Sequence, residues 1–300
     1  MADSTDATVV VGIPAYNEEG AVGDVVRQAR EHASIVVVAD DGSSDRTVSR
    51  AAAAGAEVVR HEENRGYGAA LGTLFRTAAE LDADHLVVVD ADGQHDPADI
   101  PDLVETQRAS GAEVVIGSRF LGDSETDAPL YRRFGLVVIN SIVGAGLKFG
   151  YSVSRIRDTQ SGFRAYDGTA VRTLAERELS DGMDASIDIL FQAADESFEF
   201  AEVPVEVTYD VEEANTHNPI LHGAVLVRNA VSRIVLDRPG RSLGVTGTLC
   251  LLFGVALGGI LGLNTPATGL IPGVVATALV LAGGSLIGAA VAVGGLVGTD

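Results

Sequence analysis

The sequence has a single lysine, a single cysteine and no tryptophan. It is also poor in positive charge, because 21 Lys and Arg stand against 42 Asp and Glu, which gives a formal net charge of −21. Such a balance excludes a nucleic-acid-binding protein that works through a broad basic face. The lone cysteine, Cys250, excludes an intramolecular disulfide and a zinc site built from cysteines.

The surface composition indicates adaptation to high salt. Carboxylates stay hydrated and keep a protein soluble where salt screens charge repulsion. The chain is rich in carboxylates, and only one of its 21 basic residues, Lys148, is a lysine. Disorder is disfavoured, because 46% of the chain is hydrophobic and can bury a core.

Charge is absent from Ser242–Thr299, which holds no Asp, Glu, Lys or Arg. Leu243–Leu263 contains about 20 apolar residues, enough to cross the hydrocarbon of a bilayer. Leu270–Gly298 is a second uncharged run, and residues 264–266 interrupt the two. Two successive glycine-rich runs without a polar face favour a transmembrane hairpin over a pair of buried core helices.

The hairpin suggests a three-part chain at the cell membrane: a catalytic domain at 1–218, an amphipathic juxtamembrane helix at 219–241 and the hairpin at 242–300. The helix could lie in the membrane interface or pack against the preceding domain. By the positive-inside rule, the arginines before the hairpin place the catalytic domain in the cytoplasm. These arginines are Arg228, Arg233, Arg238 and Arg241.

The first 120 residues alternate strand and helix patterns. This alternation predicts an α/β fold with an open, mostly parallel sheet and helices on both faces. The five predicted strands are Thr8–Ile13, Ser34–Ala39, Glu57–Arg60, His85–Val89 and Glu113–Ile116.

A polar run follows each predicted strand. The runs are Pro14–Glu18, Asp40–Asp45, Asn64–Gly68, Asp90–His95 and Gly117–Arg119. Any one of them could be an ordinary turn, since turns favour Asp, Gly and Ser. Because ligands of such sheets bind at the carboxyl ends of strands, five runs at one edge predict a binding site.

Three of these runs indicate particular chemistry. Asp90 and Asp92 repel each other unless a cation lies between them, and with Gln94 they offer oxygen ligands suited to Mg²⁺ or Mn²⁺. Asp41 can accept a hydrogen bond from a nucleobase N–H of either uracil or guanine. Gly66 and Gly68 would allow the backbone to approach a ligand closely.

Together, the motifs resemble the GT-A fold of family 2 glycosyltransferases, and within it the polyprenyl-phosphate sugar synthases that make dolichyl-phosphate mannose or glucose. The resemblance spans roughly Thr8 to Tyr209 and implies a nucleotide-sugar donor of the GDP-mannose or UDP-glucose type. It also implies Mg²⁺ or Mn²⁺ and a dolichyl or polyprenyl phosphate acceptor, in the service of protein glycosylation. The motifs are Pro14–Glu18, Asp40–Asp45, Asp90–Asp92, Gly117–Arg119, Tyr131–Arg133 and Asp158–Arg164.

The resemblance also implies roles for individual residues. The donor would be bound by Pro14, Tyr16, Glu18, Asp41, Gly66, Gly68 and Asp90. The metal would be held by Asp90, Asp92 and Gln94. The acceptor phosphate would be bound by Ser118, Arg119, Arg132, Arg133 and Ser161. The catalytic set would be Asp92, Arg119, Arg133 and Asp158, and Gly162 would belong to the loop beneath the acceptor side.

Two features bear on the place of the chain within this superfamily. Family members often carry a basic stretch after the strand that ends near Tyr209, whereas here 210–218 has only His217 as a potential cation. His217 could contact the donor diphosphate or be a plain loop residue. The absence of tryptophan disfavours the processive polysaccharide synthases, whose signature ends in Arg-Trp.

The nature of the acceptor separates two enzymatic hypotheses. A phosphate monoester is already anionic and needs cations rather than a base, which arginine supplies. A sugar hydroxyl on a lipid-linked glycan would need a carboxylate base, for which Asp158 and Asp188 are the candidates. A nucleotide-sugar-binding membrane subunit without turnover is the non-enzymatic alternative, and the tail glycines leave a homo-oligomer open.

The acidic composition predicts a salt-dependent stability. We expect the melting temperature to fall as NaCl is lowered from molar to dilute concentration, because repulsion among the carboxylates is then less screened. Circular dichroism melts across a salt series measure this. A melting temperature that does not change with salt would contradict adaptation to high salt.

Overall fold

A mixed sheet of the α/β class organises the part of the chain that the structure describes. The structure, a computed structural model, describes residues 7–121 and 156–208 except 181 and 183. It also describes positions 140, 141, 143, 144, 147, 148, 151, 153, 281, 282, 284 and 285. The predicted juxtamembrane helix lies outside these residues, as does nearly all of the predicted hairpin. Among the described residues, no helix is both long and apolar enough to span a bilayer.

Seven strands in the described residues form one sheet with the order β3-β2-β1-β4-β6-β5-β7. β6 runs antiparallel to both of its neighbours, β4 and β5, and the other pairings are parallel. The predicted mostly parallel sheet is therefore confirmed. The strands are β1 Val9–Ala15, β2 Ile35–Asp40, β3 Glu57–Arg60, β4 His85–Val88, β5 Val114–Ser118, β6 Arg164–Asp167 and β7 Phe200–Pro204.

Helices cover both faces of the sheet, as predicted. Alternate strand residues point to opposite faces, so Val10 packs into one core and Val11 into the other. Residues of α3, α5 and α6 fill the first core, and residues of α1, α2 and α4 fill the second. The helices are α1 Val22–Ala29, α2 Thr47–Ala54, α3 Tyr67–Glu80, α4 Ile100–Ser110, α5 Gly168–Ala175 and α6 Ala185–Asp195.

Local sequence signals fix several helix ends. Gly55 and Gly111 end α2 and α4 in the left-handed region, with φ of 99° and 72°. Asp45 accepts a hydrogen bond from the Thr47 N–H at 2.9 Å, although the capping backbone position itself is Arg46. Asp96 caps a 3₁₀ turn, Pro97–Asp99, that leads into α4.

At Gly68 the backbone is packed closely against another segment of the protein. A Cβ placed there would lie 1.8 Å from the carbonyl oxygen of Ser180, so α3 is packed directly against that segment. A Cβ at Gly72, one turn further along, would meet only the flexible end of Arg76, at 3.3 Å. The two glycines of α3 therefore differ in the space available to a side chain.

This difference predicts opposite effects of alanine at the two positions. Gly68→Ala must displace backbone and should lower the free energy of unfolding by about 1–3 kcal/mol. Gly72→Ala should be neutral or stabilise by up to about 1 kcal/mol, since alanine favours the helix. Denaturant unfolding compares them, and equal effects at both positions would contradict the packing at Gly68.

Candidate active site

The polar runs predicted at one edge of the sheet do meet there, because β1 to β5 all point the same way. The loop after β1 and the loop after β2 are joined by hydrogen bonds between backbone and side chains. Asn17 N–H donates to Ser43 Oγ at 2.9 Å, and Glu18 N–H donates to Thr47 Oγ1 at 2.8 Å. These bonds hold the two predicted nucleotide-binding loops as one unit.

Asp41 is almost fully buried after β2, where its carboxylate organises the turn before α3. Oδ1 accepts a hydrogen bond from the Arg65 N–H at 2.9 Å and lies 2.7 Å from His61 Nδ1. Oδ2 accepts from the Gly66 N–H at 2.8 Å. The structure thus brings together Asp41 and Gly66, two of the predicted donor-binding residues. Base recognition by Asp41 stays a prediction.

Asp90 lies two residues beyond β4 and is enclosed from two sides. The Tyr67 hydroxyl, at the start of α3, donates to Asp90 Oδ1 at 3.2 Å. On the other side a Cβ at Gly162 would lie 2.7 Å from Asp90 Oδ2. Any side chain larger than that of glycine at position 162 would therefore displace the Asp90 carboxylate.

Asp92 and Gln94 continue the same loop toward solvent. The Gln94 N–H donates to Asp92 Oδ1 at 2.9 Å, and the Gln94 carbonyl accepts from the Thr208 N–H at 3.0 Å. The loop is thereby tied to the segment after β7. Among the described residues, no group of three or more His, Cys, Asp and Glu side chains is arranged to hold a metal ion.

The predicted metal ligands still fit a hard cation in their chemistry. They comprise two carboxylates and one amide oxygen, and Mg²⁺ or Mn²⁺ commonly takes one or two carboxylates and completes its shell with substrate phosphate and water. Burial, together with the neighbouring charge of Asp92, raises the pKa of Asp90 to about 6. Two carboxylates that repel each other in this way are a reasonable cation site.

Arg119 and Asp158 form a buried ion pair at the ends of β5 and of the segment that enters β6. Arg119 Nε lies 2.7 Å from Asp158 Oδ2 and Nη2 lies 2.8 Å from Oδ1, which is a bidentate geometry. The side chains are 13% and 0% exposed. Burial alone would raise the pKa of Asp158, but the hydrogen bonds and charge of Arg119 hold it below its usual value.

The remaining predicted site residues occupy varied surroundings. Pro14 is buried within β1, whereas Tyr16 is 48% exposed at the edge of the site. Ser118 and Ser161 are buried on the predicted acceptor side. Arg132, Arg133 and His217 lie outside the described residues, and the donor contact expected of Gly68 stays a prediction.

Several contacts at this edge have no clear signal in the sequence. β6 was not predicted, and because it runs antiparallel its first residue, Arg164, lies where the other strands end. Arg164 is 1% exposed and donates to the carbonyls of Thr159 and Ser186 at 3.0 and 2.6 Å. Tyr67 could have been noticed as the aromatic residue between two glycines after β3, whereas His61 carries no motif.

The raised pKa of Asp90 predicts pH-dependent metal binding. A cation binds the ionised carboxylate, so its affinity should fall as the pH falls through about 6. Between pH 7 and pH 5 we expect about a tenfold loss of Mn²⁺ affinity, measured by electron paramagnetic resonance of Mn²⁺ alone. Asp90→Asn should bind more weakly at both values and lose this dependence, and an unchanged wild-type affinity would contradict the assignment.

The chain matches a known protein family over more than half of its length. Residues 10–173 match the model of Glycosyl transferase family 2. The UDP-N-acetylglucosamine–dolichyl-phosphate N-acetylglucosaminyltransferase of Methanococcus voltae is 31% identical over 226 residues, which cover 68% of this chain and 87% of that protein. The dolichyl-phosphate hexose transferase of Haloferax volcanii is 30% identical over 239 residues, 78% of this chain and 96% of that one.

Solved structures show the same fold. Glucosyl-3-phosphoglycerate synthase of Mycobacterium tuberculosis, in complex with Mn²⁺, UDP and phosphoglyceric acid, superposes with a TM-score of 0.57 at 23% identity. The match covers 77% of this chain and 78% of that chain. The GT-A-like sheet predicted from the motifs is thus confirmed, and the protein is a glycosyltransferase that belongs to family 2.

Proposed function

We propose that this glycosyltransferase moves one sugar, with inversion, from a nucleotide-sugar to a dolichyl or polyprenyl phosphate. The product would be a lipid-phosphate-linked sugar that feeds protein glycosylation. The names of the relatives from Methanococcus voltae and Haloferax volcanii support the lipid phosphate acceptor. The UDP complex of the mycobacterial structure supports a nucleotide-sugar donor.

The state of Asp158 is the observation that supports an anionic acceptor most directly. Transfer to a sugar hydroxyl needs a base that removes its proton. Asp158 is fully buried and forms hydrogen bonds with Nε and Nη2 of Arg119. It also accepts a hydrogen bond from the Ser161 N–H at 3.2 Å. A carboxylate engaged in this way, with a lowered pKa, is a poor base.

Asp188, the other candidate base, is engaged as well. It is buried in α6, where its Oδ2 accepts from the Ser180 N–H at 3.1 Å and from Gln192 Nε2 at 3.2 Å. Neither Asp158 nor Asp188 is therefore placed to act as the base that extension of a lipid-linked glycan at a hydroxyl would need. A phosphate monoester avoids the requirement, because its ionised oxygen can attack the anomeric carbon unaided.

Different residues of the chain would bind the nucleotide-sugar donor and the acceptor phosphate. A divalent cation bound by Asp90, Asp92 and Gln94 would neutralise the leaving nucleoside diphosphate. Asp41 and the joined loops after β1 and β2 would hold the nucleotide. Arg132 and Arg133, together with Arg119 at the end of β5, would neutralise the acceptor phosphate and orient it opposite the leaving group.

The apolar tail fits this acceptor. A lipid phosphate lies at the membrane surface, and a hairpin at 242–300 would hold the catalytic domain beside it at the cell membrane. The arginines before the hairpin favour the cytoplasmic face. We propose this location from the sequence pattern together with the acceptor.

An assay of the full chain in membranes tests the proposal. Radiolabelled nucleotide-sugars are offered one at a time with dolichyl phosphate, and in parallel with a dolichyl-diphosphate-linked glycan. We expect label to enter the organic phase with dolichyl phosphate and one donor, and EDTA to abolish the transfer. Label transferred only to the linked glycan would favour the hydroxyl acceptor, and activity that survives EDTA would exclude the metal.

Arg133 should act on the acceptor alone. A charge-assisted bond from arginine to phosphate contributes about 1.5–3 kcal/mol, so Arg133→Ala should raise the KM for dolichyl phosphate by about 10- to 150-fold. Its donor affinity should stay within a few-fold of wild type. Arg108→Ala is the matched control, because Arg108 donates to His85 at the opposite edge of the sheet, and an equal effect there would contradict the role of Arg133.

A further inference from the structure

Residues 157–163, here named the seating loop, lead into β6 and are held from several sides. The N–H groups of Arg157 and Asp158 both donate to Glu202 Oε1, on β7, at 3.0 Å. Thr159 donates to Asn140 Oδ1 through its N–H at 3.0 Å and its hydroxyl at 2.7 Å. The loop is therefore a fixed part of the site edge.

The Asp158 side chain organises the interior of the seating loop. Its Oδ1 accepts from the Ser161 N–H at 3.2 Å and from the Gln160 N–H at 3.3 Å, which folds the chain back on itself. The same carboxylate receives Arg119 through Nε, Nη2 and the backbone N–H, at 2.7, 2.8 and 3.1 Å. Since the carboxylate is fully buried, losing Arg119 would leave a buried charge poorly compensated.

At its far end the seating loop forms a wall for Asp90. Gly162 approaches so closely that a Cβ would lie 2.7 and 3.0 Å from the two carboxylate oxygens. Tyr67 holds Oδ1 from the opposite side. If Gly162 withdrew, Asp90 would keep Tyr67 but gain rotational freedom on its Oδ2 side.

We propose that Arg119 is a positioning residue for the donor side of the reaction, acting through Asp158 and the seating loop to fix the Asp90 carboxylate. The inference rests on the proposed function insofar as Asp90 holds a metal and a nucleotide-sugar. This positioning role is separate from the contact with the acceptor phosphate that is expected of Arg119. Arg119 and Asp158 act as one unit in this role.

Charge removal distinguishes positioning from electrostatics through space. Arg119→Gln removes a positive charge and Asp158→Asn removes a negative one, so a purely electrostatic influence on the metal–nucleotide site would change affinity in opposite directions. Positioning predicts the same loss for both. Because the two residues form one unit, the double variant should lose little more than either single variant.

The test measures binding of UDP and of GDP, each with Mn²⁺, to the full chain in detergent by calorimetry. We expect about a tenfold or larger loss of affinity for Arg119→Gln, for Asp158→Asn and for the double variant, and a partial loss for Arg119→Lys. Arg177→Gln is the matched control, because Arg177 pairs with Glu196 on the surface, and it should bind as wild type. Circular dichroism checks that each variant is folded.

Three outcomes would overturn the inference. Unchanged nucleotide affinity in the folded variants, with only the acceptor KM raised in Arg119→Gln, would leave Arg119 as an acceptor residue alone. Opposite changes in Arg119→Gln and Asp158→Asn would indicate electrostatics. Should Asp158→Asn not fold, Gly162→Ala decides: it leaves the ion pair intact and displaces only the wall of Asp90, so wild-type affinity there contradicts the proposal.

Failure of the proposed function gives a separate result. In that case the wild-type protein itself would bind neither UDP nor GDP with Mn²⁺. A wild type that binds one of them while the variants do not supports the inference, whichever acceptor is used.

Discussion

The buried ion pair between Arg119 and Asp158 is the interaction on which the site depends. A charge pair removed from water is stable only when its geometry is good and its remaining polar atoms are satisfied. Here the contact is bidentate, and the Asp158 carboxylate also accepts backbone N–H groups of its own loop. The pair thus fixes the loop that reaches Asp90, and it also ties up the carboxylate that would otherwise be the candidate base.

Sheet topology explains how residues so far apart in sequence share one edge. β1, β2, β4 and β5 run parallel, so the residues that follow them collect at their carboxyl ends. β6 is inserted antiparallel between β4 and β5, and the segment before it therefore enters from that same edge. The pairing of Val88 with Arg164 continues, two residues further on, into the approach of Gly162 to Asp90.

Much of the first half of the fold could be predicted from local patterns. Apolar runs followed by polar residues predict five strands within about two residues of their bounds. Gly55 and Gly111 end helices through their left-handed backbone, and the Asp96 side chain caps a 3₁₀ turn. β6 could not be predicted this way, because Arg164–Asp167 is a short strand that begins with a buried arginine rather than an apolar residue. Whether a strand is inserted antiparallel depends on long-range pairing that no local pattern encodes.

The sequence indicates which residues gather at this edge of the sheet, but not how they contact one another. Motifs pointed to Asp90, Arg119 and Asp158 one by one, yet nothing in their spacing indicates that Arg119 is bound to Asp158. The close packing of Gly68 against the Ser180 carbonyl is likewise not indicated by the sequence. Side-chain pairing is a property of the folded edge and needs the structure.

We propose that an ionised phosphate oxygen of the acceptor, rather than a hydroxyl, becomes bonded to the sugar. ³¹P nuclear magnetic resonance of the purified lipid product tests this most directly, because transfer to the phosphate converts a monoester into a diester. We expect the monoester signal of dolichyl phosphate to be replaced by a diester signal as sugar is incorporated. Sugar incorporated into the lipid fraction while the phosphorus signal of the acceptor stays unchanged would contradict it.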